Sequence, residues 1–169
     1  NGFSTYVEVD MLADVLCGSS RPGHFRGVCT VVAKLFNIVL PDVAFFGQKD
    51  AQQAVVINRM VEDLNFPVEI EVLPTVREPD GLAMSSRNQY LTPDQREDAA
   101  CIFRGLQSAF ELIAAGERDA ARIREQVESV IQPAPTTSID YIEVVDADTL
   151  APLDDLSGRQ ALIAVAVKV

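Results

Sequence analysis

Apolar and polar residues along the 169-residue chain follow helix or strand periodicity in two blocks, joined by a more polar stretch after Pro74. In the first block, short apolar runs alternate with longer segments in which apolar residues recur every three or four positions. This pattern predicts a helix, a strand, a helix and a strand, over Val28–Val39, Val43–Phe46, Asp50–Leu64 and Val68–Leu73. That order is half of a doubly wound α/β domain with parallel strands. Because so few parallel strands would leave a sheet uncovered, we expect the N-terminal half of the domain to be missing from this chain.

The residues before the first of these helices predict less regular structure. Tyr6–Val15 fits a short strand and a turn that lead into a helix, and Cys17–Gly27, rich in Gly, Ser and Arg, is typical of a loop. The two longer helices should each bury one apolar face. The positions that we expect to face the core are Val28, Val31, Val32, Leu35, Phe36 and Val39 in the first helix and Val55, Val56, Met60 and Leu64 in the second.

The second block predicts a small α+β domain with antiparallel strands. Before it, Thr75–Asn88 carries proline, glycine, serine and charged residues, which is typical of a functional loop or hinge. Thr92 is a good N-cap, with Pro93 at the first helical position and Gln95 at the third. The predicted elements are helices over Asp94–Ala115 and Asp119–Ile131 and strands over Ile139–Val145 and Gln160–Val169.

Composition narrows the classes of function. Lys and Arg number 14 against 25 Asp and Glu, a formal net charge of −11, so the chain lacks the basic surface that nucleic acids and anionic membranes require. The most apolar run, Ala161–Val169, is too short to cross a bilayer, and residues 1–10 do not resemble a signal peptide. The 3 cysteines are widely spaced, which favours reduced thiols over a disulfide framework or a zinc site. We therefore expect a cytoplasmic protein that binds neither nucleic acid nor membrane.

The first candidate site follows the predicted strand Val43–Phe46. Here a glycine and a polar turn lie where a strand ends and a helix begins, the edge of an open α/β sheet at which ligands bind. Gly47 would let a ligand approach the backbone, and Lys49 offers a point charge suited to a phosphate. Asp50 could accept hydrogen bonds from ribose hydroxyls, and Gln53 would face the same cleft. The alternative is an ordinary turn in which Asp50 caps the helix and Lys49 is solvated.

The second candidate is Ser85-Ser86-Arg87, in the loop between the two blocks. Two hydroxyls beside a guanidinium suit phosphate oxygens, although an inert linker is the alternative. Together with Lys49, these residues predict a phosphate-binding site, because phosphoryl and nucleotidyl transfer need a cationic cradle for the departing pyrophosphate. Neither segment supplies an obvious nucleophile or base, so the cluster is typical of a transition-state clamp.

A third cluster lies in the loop Arg21–Gly27 and contains His24, the only histidine in the sequence. Two arginines flank it, so it could contact an anionic substrate, and the alternative is a structural histidine. A hydrolase triad is unsupported because no serine or cysteine nucleophile is placed beside it.

Three longer runs that contain these candidates resemble the pantoate–β-alanine ligase (pantothenate synthetase) family, and the resemblance extends over nearly the whole chain. The runs are Arg21–Val28, Phe45–Gln53 and Pro74–Asn88, of which the last is long and highly specific. The family belongs to the HIGH-type nucleotidyltransferases, whose fold is Rossmann-like. The resemblance therefore implies the C-terminal half of a nucleotide-binding domain over residues 1–74, a hinge and phosphate-binding loop over 75–90, and a small C-terminal domain over 91–169.

The resemblance also implies an activity and roles for individual residues. The family uses ATP and Mg²⁺ to convert pantoate to pantoyl adenylate with release of pyrophosphate, and the β-alanine amine then displaces AMP. The implied ATP-binding residues are Gly47, Gln48, Lys49, Asp50, Val76, Met84, Ser85, Ser86 and Arg87, of which Lys49, Ser85, Ser86 and Arg87 are also implied to be catalytic. The implied pantoate-binding residues are Gln53, Val31 and Val32. The resemblance further implies a homodimer and names no metal ligand in this chain.

The sequence departs from the family pattern in three respects. Gln48 stands where many relatives have Glu, and Ala51 where many have an aromatic residue, but neither change removes a phosphate ligand. The HIGH-like motif with its catalytic histidines does not occur in the chain, and His24 cannot replace it. We therefore expect this chain alone not to turn over substrate. The alternatives are another adenylyl transferase of the same superfamily and a non-catalytic assembly fragment.

Overall fold

The computed structural model describes residues 2–169 and divides the chain into two compact units, Asn1–Pro74 and Thr75–Val169. In the N-terminal unit a 3₁₀ turn over Gln48–Asp50 separates a strand from a helix. The other elements of this unit are α1 (Cys17–Ser20), α2 (His24–Val39), β1 (Val43–Gly47), α3 (Ala51–Leu64) and β2 (Glu69–Leu73). The predicted order of helix, strand, helix and strand is therefore confirmed.

Strands β1 and β2 form a parallel two-stranded sheet, with Val43 opposite Glu69 and Gly47 opposite Leu73. Helix α3 connects the two strands, as a parallel crossover requires. Much of the apolar surface of the sheet is open, since Phe45 is 62% and Val72 49% exposed. The Gln48–Asp50 turn begins at the carboxyl end of β1. In an open parallel sheet, this is the edge at which ligands bind.

Helix α2 packs against α3, and its buried face matches the predicted one only in part: Phe36 is buried as predicted, and Val28 and Val32 are half-buried. The buried residues of α2 are Phe25, Cys29, Thr30, Ala33 and Phe36. The predicted core positions Val31, Leu35 and Val39 are instead 56%, 50% and 65% exposed. Both sides of the helix are apolar, so periodicity alone cannot choose between them. In α3 the burial of Val56 and Met60 is confirmed, whereas Leu64, in the last turn, is 52% exposed.

The residues before α2 differ most from the prediction. No strand forms over residues 3–9; the Val7 N–H instead donates to the Thr30 hydroxyl of α2 at 3.0 Å. The predicted loop Cys17–Gly27 contains α1 and the first turn of α2. Gly23, with φ 75°, is the N-cap of α2, so this helix begins earlier than its apolar periodicity indicates.

The C-terminal unit begins with an irregular segment and a 3₁₀ turn over Ser86–Tyr90. Its elements are α4 (Pro93–Ala99), α5 (Cys101–Ala114), α6 (Ala120–Ile131), β3 (Ser138–Asp146) and β4 (Ala161–Lys168). The capping box of Thr92 and Gln95 is confirmed. The single predicted helix over Asp94–Ala115 is wrong, because a turn at Ala100 divides it. The antiparallel pairing of the last two strands is confirmed.

The core of the C-terminal unit lies between its helices and its sheet. Its fully buried side chains include Ile123, Val127 and Ile131 of α6 and Val144 of β3. Gly105 of α5 permits the close approach of α6, because an added Cβ would lie 3.3 Å from the Val127 Cγ1 atom. The result is a layer of helices on a two-stranded sheet.

Within residues 2–169, no helix combines the length and the apolar character needed to cross a membrane.

Candidate functional site

Gly47 is the last residue of β1, and its backbone conformation does not require glycine. Its φ of −86° and ψ of 133° are extended values that any residue adopts. An added Cβ at Gly47 would meet no described atom within 4 Å. Neither backbone strain nor internal packing therefore accounts for this glycine. Open space over the backbone at the carboxyl end of a parallel strand is suited to the close approach of a ligand.

Lys49 and Asp50 present opposite charges in the 3₁₀ turn that follows. The Lys49 Nζ lies 3.4 Å from the Asp50 Oδ1, and the two side chains are 39% and 63% exposed. Asp50 occupies the N-cap position of α3, yet its side chain accepts no capping hydrogen bond. Asp50 is thus the N-cap residue by position, as in the ordinary-turn alternative, but its carboxylate makes no capping hydrogen bond. An adjacent, exposed ion pair contributes little to stability, so both groups are available to a ligand.

Two neighbouring glutamines at the start of α3 have different environments. Gln52 is buried and ties the preceding segment to the helix. Its amide donates to the Leu12 and Val15 carbonyls at 2.9 and 2.7 Å, and its oxygen accepts the Cys17 N–H at 3.1 Å. Gln53 is half-buried, and its amide has no partner among residues 2–169. Gln52 is thus a structural residue, whereas the Gln53 amide is available for binding.

The remaining candidates of the N-terminal unit lie on α2. Val31 is exposed and Val32 is half-buried, so both leave apolar surface open. His24 is the first residue of α2 and contacts the Phe25 ring edge-on, with ring centroids 5.0 Å apart. Burial, and then the positive charge of Arg21, lower the pKa of His24. A neutral imidazole packed on a phenyl ring fits the structural alternative for this residue.

In the C-terminal unit, residues 76–84 form a narrow turn that we call the turn hairpin. Its two arms pair through an antiparallel bridge between Arg77 and Ala83, and the Met84 N–H donates to the Val76 carbonyl at 2.9 Å. The side chains of Val76 and Met84 are 67% and 52% exposed. The backbone groups of these two residues are thus fixed to each other, while their side chains face solvent.

The segment Ser85-Ser86-Arg87, here called the SSR segment, follows the turn hairpin directly. The Ser85 hydroxyl accepts the Arg87 N–H at 3.2 Å, which leaves its own hydrogen free to donate. Ser86 and Arg87 are exposed. The Arg87 guanidinium makes no ion pair or hydrogen bond to residues 2–169. A cation without an internal partner, beside two hydroxyls, is suited to an anion such as a phosphate.

The described residues do not gather a metal centre of their own. Over residues 2–169, no three His, Cys, Asp or Glu side chains lie close enough together to hold a metal ion. The three cysteines, all within this range, form no disulfide with one another, and two of them, Cys29 and Cys101, are buried. Burial is the largest cause that raises the pKa of the Cys29 thiol, to about 11, so this thiol is neutral.

The residues that support the turn hairpin are not evident from the sequence pattern. Asp80 is paired with the Arg96 guanidinium of α4, and Arg77 lies over the Phe103 ring of α5. Asp80-Gly81 was recognisable as a turn, but its partners lie far along the chain. Only Gly81, a residue that often marks close packing, offered a local signal.

Comparison with known families identifies the chain by sequence. The family described as Pantoate-beta-alanine ligase matches residues 2–169. The pantothenate synthetase of Moorella thermoacetica is 61% identical over 166 residues, which cover 98% of this chain and 58% of that protein. That of Pelotomaculum thermopropionicum is 58% identical over 168 residues, which cover 99% of this chain and 59% of the relative. The chain thus spans less than two thirds of the length of these curated relatives.

Solved structures give the same relationship. Pantothenate synthetase from Thermus thermophilus superposes with a TM-score of 0.90 at 44% identity, over 98% of this chain and 60% of that structure. A pantoate-beta-alanine ligase from Francisella tularensis, crystallised with beta-gamma ATP and beta-alanine, gives a TM-score of 0.66 at 30% identity, over 96% of this chain and 58% of that structure. The fold is therefore that of the nucleotidyltransferase-type pantothenate synthetases, with a small antiparallel α+β part after the parallel strands.

Proposed function

Because the chain belongs to the pantoate-beta-alanine ligase family, we propose that the protein condenses pantoate with β-alanine at the expense of ATP. The pantoate carboxylate attacks the α-phosphate of ATP, which gives pantoyl adenylate and pyrophosphate. The β-alanine amine then attacks the acyl carbon of the adenylate, and AMP leaves to give pantothenate. The family match over nearly the whole chain carries this assignment of the reaction.

ATP ligands are proposed in each unit separately. In the N-terminal unit, Lys49 contacts a phosphate and Asp50 the ribose, while the backbone of Gly47 and Gln48 lines the nucleotide. This assignment is supported by the open space above Gly47 and by the exposed, weakly paired charges of the turn. A mobile ammonium group suits a phosphate whose charge changes during the reaction.

In the C-terminal unit, the SSR segment is proposed to hold ATP phosphates, with the backbone of Val76 and Met84 beside the adenine. Residues 75–90 would then form the hinge and phosphate-binding loop. The observation that carries this role is the exposed Arg87 guanidinium, which has no counter-ion among the described residues. Its planar fork can bind two phosphate oxygens at once, and the Ser85 and Ser86 hydroxyls can each donate one more hydrogen bond. These groups stabilise the charge that develops on the departing pyrophosphate.

Pantoate is proposed to bind beside the N-terminal unit. Gln53 supplies a half-buried amide that has no partner among residues 2–169, and Val31 with Val32 supplies apolar surface for the pantoate methyl groups. A polar anchor and an apolar wall are the two features that a small branched hydroxy acid requires.

Magnesium is proposed to enter with ATP rather than on a protein cage. The described residues provide no cluster of three ligands for a metal ion. Mg²⁺ retains several waters and is commonly bound through substrate phosphates and one or two carboxylates. Bound there, it would neutralise phosphate charge. We further propose a cytoplasmic homodimer, as the family resemblance implies.

The test is pantoate-dependent exchange of labelled pyrophosphate into ATP, followed by AMP release on addition of β-alanine. The complete protein should show exchange only with pantoate and form pantothenate only with β-alanine. Exchange supported by another carboxylate but not by pantoate would identify a different adenylyl transferase, and the absence of any exchange would refute an enzymatic role. The 169-residue chain alone should be assayed in parallel, and we expect no turnover from it.

A further inference from the structure

The turn hairpin is fixed to α4 by a two-point ion pair between Asp80 and Arg96. Arg96 Nη2 donates to Asp80 Oδ1 at 3.0 Å, and Arg96 Nη1 donates to Asp80 Oδ2. Asp80 Oδ1 also accepts the Leu82 N–H at 3.1 Å, which closes the tip of the turn. One carboxylate therefore sets both the shape of the turn and its attachment to the helix.

A second attachment joins the same turn to α5. The Arg77 guanidinium lies over the Phe103 ring, 4.2 Å from its centroid, and donates to the Gly81 carbonyl at 3.1 Å. Gly81 has φ 91°, and an added Cβ would lie 2.1 Å from Phe103 Cδ1. The turn thus contacts the Phe103 ring through Gly81, and the Arg77 guanidinium stacks on the same ring.

Helix α4 is itself attached to the core of the C-terminal unit. Asp98 accepts the Thr136 N–H at 3.0 Å and the Thr136 hydroxyl at 2.7 Å, just before β3 begins. Arg96 and Asp98 lie two positions apart in the same short helix. The Asp80–Arg96 pair therefore connects the turn to a helix whose own position is fixed.

The SSR segment is held to the turn hairpin by hydrogen bonds of Asn88. The Asn88 side chain donates to the Ala83 carbonyl at 3.0 Å, and the Asn88 N–H donates to the Ser85 carbonyl. These bonds hold both ends of the SSR segment close to the last arm of the turn hairpin. A displacement of the turn would therefore move the hydroxyls and the guanidinium of the segment.

We propose that Asp80 and Arg96 are positioning residues, whose ion pair places the SSR segment for the phosphates of ATP. This inference rests on the proposed function. The two side chains are 43% and 30% exposed, so solvent screens the attraction between their charges. The geometric precision of a two-point contact is what the pair supplies, and misplacement of a substrate ligand by about 1 Å can lower a rate by about 100-fold.

The first test measures catalysis in the complete protein. Asp80→Asn, Arg96→Gln and the double variant should each lower kcat/KM for ATP in pantoate-dependent exchange by about tenfold or more, with the KM for pantoate unchanged. The double variant should be no worse than the poorer single variant, and Arg96→Lys should recover part of the loss. Arg122→Gln is the matched control, because it removes an ion pair with Glu117 in the same unit, and Arg122 makes no hydrogen bond or ion pair to the turn hairpin.

The second test measures the attachment without reference to activity. Amide hydrogen exchange of residues 82–88 should be faster in Asp80→Asn and Arg96→Gln than in the wild type and in Arg122→Gln. Unchanged exchange in this segment, or equal losses for Arg122→Gln, would overturn the inference. Faster amide exchange with unaltered ATP kinetics would also overturn it. A wild-type protein that shows no pantoate-dependent exchange would instead refute the proposed function, and with it the positioning role of the pair.

Discussion

The Gly81 backbone lies against the Phe103 ring so closely that a Cβ on Gly81 would be 2.1 Å from Phe103 Cδ1. Gly47, in contrast, has no described atom within 4 Å of the same position and an ordinary extended backbone. The two glycines flank different parts of the proposed ATP-binding machinery. One is required by contact within the protein, and the other leaves space that the protein itself does not fill. Substitution by alanine should therefore lower stability at Gly81 and weaken ATP binding at Gly47.

Gly81→Ala should destabilise the protein by about 2 kcal/mol or more, because it combines a strained positive φ with overlap on the Phe103 ring. Denaturant unfolding measures the loss. Gly116→Ala is the matched control, since Gly116 also has a positive φ, 106°, but has open space around it. It should cost about 1 kcal/mol from backbone strain alone. Equal losses at the two positions would show that the contact with Phe103 does not matter.

Gly47→Ala should leave the free energy of unfolding within about 0.5 kcal/mol of the wild-type value, because no internal contact or strain is introduced. If ATP approaches the backbone here, the KM for ATP should rise by about tenfold, which corresponds to about 1.4 kcal/mol of lost binding. Gly27→Ala, at another open glycine with an ordinary φ, should leave the KM unchanged. A normal KM for ATP in Gly47→Ala would exclude close approach of the nucleotide at this point.

Lys49→Met should lower kcat/KM for pantoate-dependent exchange by about 100-fold, because it removes a charge from the proposed phosphate site. Stability should hardly change, since the ion pair with Asp50 is exposed and links adjacent residues. Lys168→Met, which removes a similar exposed pair with Asp140, should keep full activity. Comparable activity losses in both variants would remove Lys49 from the proposed set of ATP ligands.

Asp146→Asn should make stability less dependent on pH. Hydrogen bonds from the Thr149 N–H, the Thr149 hydroxyl and the Asp148 N–H hold the pKa of Asp146 below its usual 3.8. The stabilisation is therefore present above pH 3.8 and is lost as the pH falls through the lower pKa of the folded state. Unfolding free energies of wild type and variant should differ at neutral pH and converge in acid. Thr149→Val, which removes one donor, should show a smaller difference, and a gap that widens in acid would contradict the assignment.

Local patterns were sufficient for most elements. The Thr92 and Gln95 capping box depends on side chains three positions apart, and the alternating strand Ser138–Asp146 depends on its own periodicity. Helix α3 lies within about one residue of its predicted bounds. In each case the atoms that form the element are close in sequence, so a short window contains the necessary information.

The buried face of α2 could not be predicted in the same way. Its sequence has apolar residues on two sides, and Phe25, Cys29 and Phe36 are buried while Val31 and Leu35 are exposed. Elements distant in sequence make the choice: α3 packs against α2, and the Val7 N–H donates to the hydroxyl of the buried Thr30. Which side of a helix is buried depends on the elements that pack against it as well as on its own sequence.

The candidate site likewise has features that the sequence predicts and features that only the fold shows. The sequence by itself determined which groups are suited by charge to a phosphate, because Lys49 and the SSR segment are recognisable by residue type at the end of a strand and in a polar loop. Only the tertiary structure decided what supports the SSR segment: Asp80 and Arg96 are 16 positions apart, and Phe103 lies further still along the chain. Their contacts exist because α4 and α5 pack beneath the turn, and no local pattern encodes that packing.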